Sequence, residues 1–159
     1  FLKYMFAREE KEETLTSFKN FNNPFDYRLL LLGNTEKKSS LVDLPETFNY
    51  LLGLKVKKNH SRVSFGANFI KGPQGILNAN LKKGNTYTFK AIEGTLPEGD
   101  SALVIWRSIT GDIQKDNAAL HAYRLKFGKF KHIFINGQSN IKGASLIEDL
   151  MKSKMFEDL

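Results

Sequence analysis

The sequence contains no cysteine in 159 residues, so neither a disulfide nor a Cys-ligated zinc or iron–sulfur centre can form. No apolar run approaches the roughly 18 residues that a bilayer-crossing helix needs, so no membrane association is expected. The three histidines, His60, His121 and His132, stand far apart without metal-ligand spacing, and each is read as structural or exposed. No G-x-x-x-x-G-K-[ST] phosphate loop is present. Internal repeats and low-complexity segments are missing as well. A chain without disulfides or membrane spans suits the reducing cytoplasm, which is the expected location. There is no initiating methionine. Phe1–Leu2–Lys3–Tyr4–Met5–Phe6 reads as the interior of a longer protein, so a fragment is expected.

What is present is an ordinary globular balance, with 41% hydrophobic and 26% charged residues. The length suits one domain with a substantial core. The formal charge is +7, from 24 Lys and Arg against 17 Asp and Glu. An excess of this size favours polyanionic partners. Lys55, Lys57, Lys58 and Arg62 cluster with alternate spacing, and Lys82 and Lys83 are expected in a loop. On a regular strand Lys55 and Lys57 would share a face. Such runs usually form a solvated rim; the functional reading is that all six share one face, which contacts DNA phosphates.

Residues 1–20 read as a lead-in segment, helical in part. Asn20–Phe21–Asn22–Asn23–Pro24 carries turn chemistry. A short apolar run at 27–32 predicts a buried strand, 33–38 a turn, and 39–44 the returning strand of a hairpin. Pro45 suits the first turn of a helix over 46–52, which Gly53 would stop. Val63, Phe65, Ala67 and Phe69 alternate with polar residues, as do Tyr87, Phe89 and Ala91, and both patterns predict half-buried strands. The intervening 71–85, rich in Gly, Asn and Lys, reads as a loop or hairpin turn. The continuous apolar run 102–106 predicts a strand covered on both faces. Asp112 is placed to cap a helix with Leu120, Tyr123 and Phe127 on one face and Gly128 as its stop. Residues 132–135 predict another buried strand, completing a βαβ unit. An amphipathic helix over 144–156 ends the pattern. The expected fold is therefore α/β: a single domain with a mixed sheet, a hairpin-rich N-terminal half, and a C-terminal βαβ unit with a terminal helix.

No pattern of residues identifies an enzyme. Nucleotide amino-methyltransferases use an Asp/Asn/Ser-Pro-Pro-Tyr/Phe motif to grip the target amine and stack the extruded base. Asn23–Pro24–Phe25 has only one proline and reads as a turn. Phe65–Gly66–Ala67–Asn68 lacks the Phe-x-Gly-x-Gly spacing of a cofactor turn. Asp112 and Asp116 fit helix capping and the helix dipole. Trp106, Arg107, Asp112 and Asp116 fall near the C-terminal edge of a parallel strand, where α/β sheets place ligands; this is the minority reading of a small enzyme.

Several segments, in order, resemble the end of the modification (Mod) subunits of type III restriction-modification systems, which are adenine-N6 DNA methyltransferases. Val42–Asp43–Leu44–Pro45–Glu46–Thr47–Phe48–Asn49–Tyr50–Leu51–Leu52–Gly53–Leu54 is similar to the family's long VDL-x-ETFNYLLGL signature. Asn23–Pro24–Phe25–Asp26–Tyr27 resembles its PF-x-Y approach. Leu103–Val104–Ile105–Trp106–Arg107 with Thr110–Gly111 and Asp116–Asn117 resembles its LVIWR…TG…DN stretch. Ile133–Phe134–Ile135–Asn136–Gly137 resembles its IYVNG strand end, and Lys154–Met155–Phe156 its close. Phe134 stands where Tyr is usual, and Gln138 where an acidic residue is common. The resemblance implies a C-terminal domain of a larger methyltransferase subunit, spanning 1–159. It implies catalytic and S-adenosylmethionine motifs upstream of Phe1, and hence no catalytic, cofactor-binding or metal residue in this chain. Implied partners are DNA through the full-length protein, a second Mod subunit, and a restriction (Res) subunit. Glu46, Thr47, Asn49, Tyr50, Trp106, Arg107, Asp116, Asn117, Asn136 and Gly137 belong to the matched segments without an implied role. The alternative is a free-standing basic DNA-binding module. The isolated chain is expected neither to methylate DNA nor to bind S-adenosylmethionine. Saturable one-to-one binding in a calorimetric titration with the cofactor would overturn this.

Overall fold

The computed structural model describes residues 23–26, 28–33, 36–41 and 43–156; the lead-in over 1–20, together with Tyr27 and Val42, lies outside them. Asn23–Pro24–Phe25 enters a short 3-10 turn at Pro24–Asp26, as turn chemistry requires. Strands β1 (Arg28–Gly33) and β2 (Glu36–Leu41) form an antiparallel hairpin with Gly33 opposite Glu36. Its second strand starts earlier than expected. Ladder bonds come from the backbone, so the charged residues Glu36, Lys37 and Lys38 pair as readily as apolar ones.

Helix α1 (Leu44–Leu52) follows. The Asp43 carboxylate accepts from the Glu46 backbone N–H at 3.0 Å, and Thr47 Oγ1 donates to the Asp43 carbonyl at 2.9 Å. Pro45 lies in the first turn, where its missing N–H costs nothing. Gly53 closes the helix in the left-handed conformation at φ 67°, which glycine adopts without steric cost.

The main sheet holds β3 (Lys55–Asn59), β4 (Val63–Lys71), β5 (Leu77–Lys83), β6 (Tyr87–Thr95), β7 (Ser101–Arg107), β8 (His132–Ile135) and β9 (Ala144–Leu146). Helix α2 (Ile113–Arg124) connects β7 to β8, and α3 (Ile147–Phe156) ends the described chain. The strand order is β5-β4-β6-β7-β8-β9, with β3 also paired to β6. Pairing is antiparallel as far as β7 and parallel from β7 through β9. The protein is thus an α/β domain on a mixed, open seven-stranded sheet.

Alternation along β7 divides the core in two. Ala102, Val104 and Trp106, with Ile92 and Phe134, meet Leu44 and Phe48 of α1 and Ile147 and Met151 of α3. Leu103 and Ile105, with Phe89, Ala91, Ile133 and Ile135, meet Ala119, Leu120 and Tyr123 of α2. Phe48 stands edge-on to Trp106 at 5.9 Å and to Phe134 at 5.7 Å. On the other side Phe89 stacks on Tyr123 at 4.4 Å.

Three expectations are corrected. The stretch 71–85 contains a full strand, β5, because Leu77, Ala79 and Leu81 alternate with Asn78, Asn80 and Lys82; the asparagines disguise a period of two. Helix α2 stops at Arg124 rather than Gly128, and the Arg124 guanidinium donates to the Phe127 and Gly128 carbonyls to round off the turn beyond it. The terminal helix begins at Ile147, since 144–146 pair with β8 as a parallel edge strand. No helix among the described residues is long and apolar enough to cross a membrane.

Phe48 is fully buried between two aromatic rings, so Phe48→Ala is expected to cost roughly 3–5 kcal/mol in denaturant unfolding. A loss below about 1 kcal/mol would mean that the ring is not part of the core.

Candidate functional site

The parallel strands β7 and β8 end side by side, and the loops that follow them are 108–112 and 136–143. Arg107, the last residue of β7, is 2% exposed. Its Nε donates to the Asn136 carbonyl at 3.0 Å, Nη1 to Asn117 Oδ1 at 3.0 Å, and Nη2 to the Gln138 carbonyl at 2.8 Å. The Asn136 side chain accepts from the Arg107 backbone N–H at 2.8 Å and donates to the Arg107 carbonyl at 2.9 Å. A side-chain amide thereby copies a backbone ladder pair one step beyond β8.

Around this core lie two carboxylates. Asp116 accepts from the backbone N–H of Thr110 at 3.0 Å, from Thr110 Oγ1 at 2.6 Å and from the N–H of Gly111 at 3.2 Å. It folds the loop down onto the start of α2, while Asp112 caps that helix through the Lys115 N–H at 3.2 Å. Glu148, in the first turn of α3, accepts from the Gly137 N–H with both oxygens, at 3.1 and 3.0 Å. Gly137 has φ 76°. A Cβ there would stand 2.6 Å from Ile109 Cδ1 and 3.1 Å from Arg107 Nη2, so only glycine fits without displacement.

Burial pulls the Arg107 pKa down, and the carboxylates of Asp116 and Glu148 oppose that. Burial pushes the Glu148 pKa above its usual 4.5, and the Gly137 N–H works against the rise. The direct acceptors of Arg107 are carbonyl and amide oxygens of the chain itself. Its charge therefore fixes the loop after β8 to helix α2 rather than being presented to a ligand. Trp106, one residue earlier, points to the opposite face, against Phe48. Trp106 accordingly lies apart from Arg107 and Asp116, which share one centre.

The other sequence-derived residues are dispersed. Glu46 is exposed and Thr47 braces the start of α1. Asn49 Oδ1 is buried without a hydrogen-bond partner among the described residues, and Tyr50 is 72% exposed. Lys55, Lys57 and Lys58 are exposed on β3. The β3–β6 register shifts between Val56 and Lys58, which breaks the alternation expected to put Lys55 and Lys57 on one face. Arg62 lies over the Phe25 ring at 5.3 Å. Lys82 and Lys83 belong to β5 rather than a loop, and as neighbours on a strand they point to opposite faces. Lys55 pairs opposite Thr95, whereas Lys83 pairs opposite Phe65, itself opposite Tyr87. The two lie towards opposite ends of β6, roughly 25 Å apart along a strand of this length. The six cations do not form one compact patch.

His60 pairs with Glu93 and packs on Phe127 at 5.1 Å. His132 bonds Asp100 at 3.0 Å, and this contact, with Lys131, holds the Asp100 pKa below its usual value. The donor atoms of Glu98, Asp100 and His132 lie within 4.8 Å of one another. Lys131 Nζ, 3.3 Å from Asp100, already supplies that carboxylate with positive charge. Sequence reasoning missed Glu148, for which an acid in the first turn of a helix was the available signal. It also missed a groove between β5 and α2, whose signal was the hidden alternation of β5. Comparison with protein-family models, with curated proteins and with solved structures returned no match.

Asn136→Ala is expected to cost at least about 2 kcal/mol, because it strands a buried N–H and a buried carbonyl of Arg107; urea unfolding checks this. Glu148 gives a pH test. Its folded-state pKa is raised, so its contribution is fully present below the usual 4.5 and is lost as pH rises through the folded value, with a limiting slope of about 1.4 kcal/mol per pH unit. The lowered pKa of Asp100 acts the other way, removing stability in acid below 3.8. Glu148→Gln retains an acceptor for Gly137, and it should abolish the loss of stability that sets in as pH rises above 4.5, while leaving the acid limb of Asp100 and the alkaline limb of the raised Tyr123 phenol. Identical pH profiles for the two proteins would refute this.

Proposed function

We propose that this chain is the non-catalytic C-terminal domain of a type III restriction-modification methyltransferase subunit. Its role is to complete and brace the methyltransferase and to support subunit assembly in the cytoplasm. The observation that carries this reading is the behaviour of the segments resembling that family. Arg107, Asn117, Asn136 and Gly137 come from three separate segments yet meet around one buried guanidinium, with the Asp116 carboxylate close enough to act on its charge. Asp43, Thr47, Phe48 and Gly53 build one capped, core-packed helix. Residues engaged in this way suit a scaffold better than a reaction centre. Tyr50, exposed within the same signature, is the side chain best placed to meet another domain or subunit.

In this reading S-adenosylmethionine and the target adenine are handled upstream, and the partners are DNA, a second Mod subunit and a Res subunit. DNA would be met through phosphates only. Lys55, Lys57, Lys58 and Arg62 form one basic group, Lys82 and Lys83 are separate cations on opposite faces of β5, and flexible lysines carry little geometric selectivity.

The deciding experiment compares the full-length gene product with a version ending before residue 23. Loss of subunit association and of adenine methylation on truncation is expected. A gene without Asp-Pro-Pro-Tyr and Phe-x-Gly-x-Gly coding runs upstream, or a truncated enzyme with unchanged assembly and activity, would remove the proposal. For DNA, fluorescence anisotropy with random duplex should show weak binding by this chain that falls steeply with salt. It should fall further when that basic group is neutralised than when Lys82 and Lys83 are. Binding that survives neutralisation of all six positions, or no binding at low salt, eliminates the phosphate contact.

A further inference from the structure

A groove of about 1000 Å³ lies between strand β5 and helix α2. Its strand wall is made of the consecutive residues 77–81. Alternate residues would line a groove over one face of the sheet; consecutive ones mean that the groove meets the strand along its edge. β5 is the outermost strand, so one side of its backbone pairs with β4 and the other side is left for a further strand. The helix wall includes Gln114, Asn117, Ala118, His121, Ala122 and Leu125, spaced as one face of a helix.

Strand and helix run in the same direction. Lys115 lies over the Phe69 ring at 5.6 Å and Lys126 over the Phe65 ring at 5.1 Å. Phe69 pairs with Ala79 near the start of β5, and Phe65 with Lys83 at its end. Each wall is roughly 16 Å long, from residue spacings of about 3.3 Å on the strand and 1.5 Å on the helix. That length fits an extended segment of about five residues.

Sheet edges are ordinarily blunted by bulges, prolines or charges. β5 pairs with β4 without a register shift, contains no proline, and carries its lysines only at its end. Residues 77–81 thus carry none of these guards within the strand itself, while α2 packs alongside them. Charge and chemistry then select the occupant. No Asp or Glu lines the groove, whereas His121 and Lys126 do. Ile76 and Leu125, 61% and 71% exposed, offer apolar contacts at opposite ends. The amide orientation of Asn117 is fixed by Arg107, which leaves its Nδ2 donor for a bound chain. No Phe, Tyr or Trp lines the groove and His121 is the one ring there, so a run of stacking platforms such as single-stranded nucleic acid uses is missing.

We propose that this groove takes an extended protein segment, which adds to β5 as a new edge strand. Its apolar side chains occupy alternate positions, and acidic ones between them face His121 and Lys126. Main-chain pairing supplies affinity and the alternate side chains supply selectivity. This does not depend on the methyltransferase reading.

The test is a phage-displayed library of random nonapeptides, selected on the intact chain and counter-selected on Leu125→Glu. Leu125 is exposed, so that variant is expected to fold, and circular dichroism verifies it. Enriched peptides should be acidic with alternating apolar residues. Synthetic versions should shift the amide resonances of 77–81 and 114–126, and should bind Leu125→Glu and Lys126→Glu at least about tenfold more weakly. The proposal is overturned by failure to enrich over the variant, by enrichment of basic peptides, or by shifts centred elsewhere. Competition by single-stranded DNA would also overturn it. So would a dimer in sedimentation that Leu125→Glu dissolves, because the occupant would then be a second copy of this chain.

Discussion

A positive charge held out of water has to be answered, and around Arg107 the chain answers it with its own backbone. Two of the acceptors are carbonyls of the segment that follows β8, and the third is a side-chain amide on α2. The guanidinium thus joins the ends of both parallel strands to the helix that crosses between them. Burial makes each of those bonds worth more than it would be in water, and makes losing one correspondingly costly. Neighbouring features follow from the same centre. Gly137 is a glycine because its φ is positive and a side chain there would strike Ile109 and crowd Arg107. Glu148 tolerates partial burial because it accepts the Gly137 N–H, and this in turn sets where α3 begins.

The sheet supports that centre by being different on its two sides. α1 and α3 share one face through Phe48, Trp106 and Met151, and α2 holds the other through Leu120 and Tyr123. β7 contributes to both, which explains why its residues read as an unbroken apolar run. Beyond β6 the two faces part company. The β4–β5 hairpin keeps its packing on the α2 side, through Phe65, Phe69 and Leu81. Its reverse face carries Ser64, Asn68 and Lys82, hydrogen-bonded to neighbouring polar side chains.

The elements most visible in the sequence were those whose signals are local. Asp43, Pro45 and Gly53 bracket α1 within a dozen residues, and the period of two is plain along 63–69. β5 was hidden because asparagine is a turn residue by reputation, yet on an exposed strand face it is only a polar side chain. The bulge in β3 has no local marker, since it arises from how β3 meets β6. The Arg107 centre was half legible. The residues drew notice by resemblance, but nothing in the spacing of positions 107, 117 and 136 says that they touch, because a parallel crossover brings them together only after the sheet exists. The basic residues show the opposite failure: proximity in sequence implied a common face that pleat and register do not provide.

The lone tryptophan has an optical consequence. Trp106 sits entirely within the α1–α3 layer, so its emission reports on that layer alone. Tyr87 and Tyr123 occupy the opposite layer. Burial pushes the Tyr123 phenol up to about 12, so its ionisation in alkali is delayed while α2 remains seated. Trp106 emission and the delayed ionisation of Tyr123 therefore report on opposite halves of the core, and following both through a melt of this single domain would show whether the two sides of the sheet come apart together.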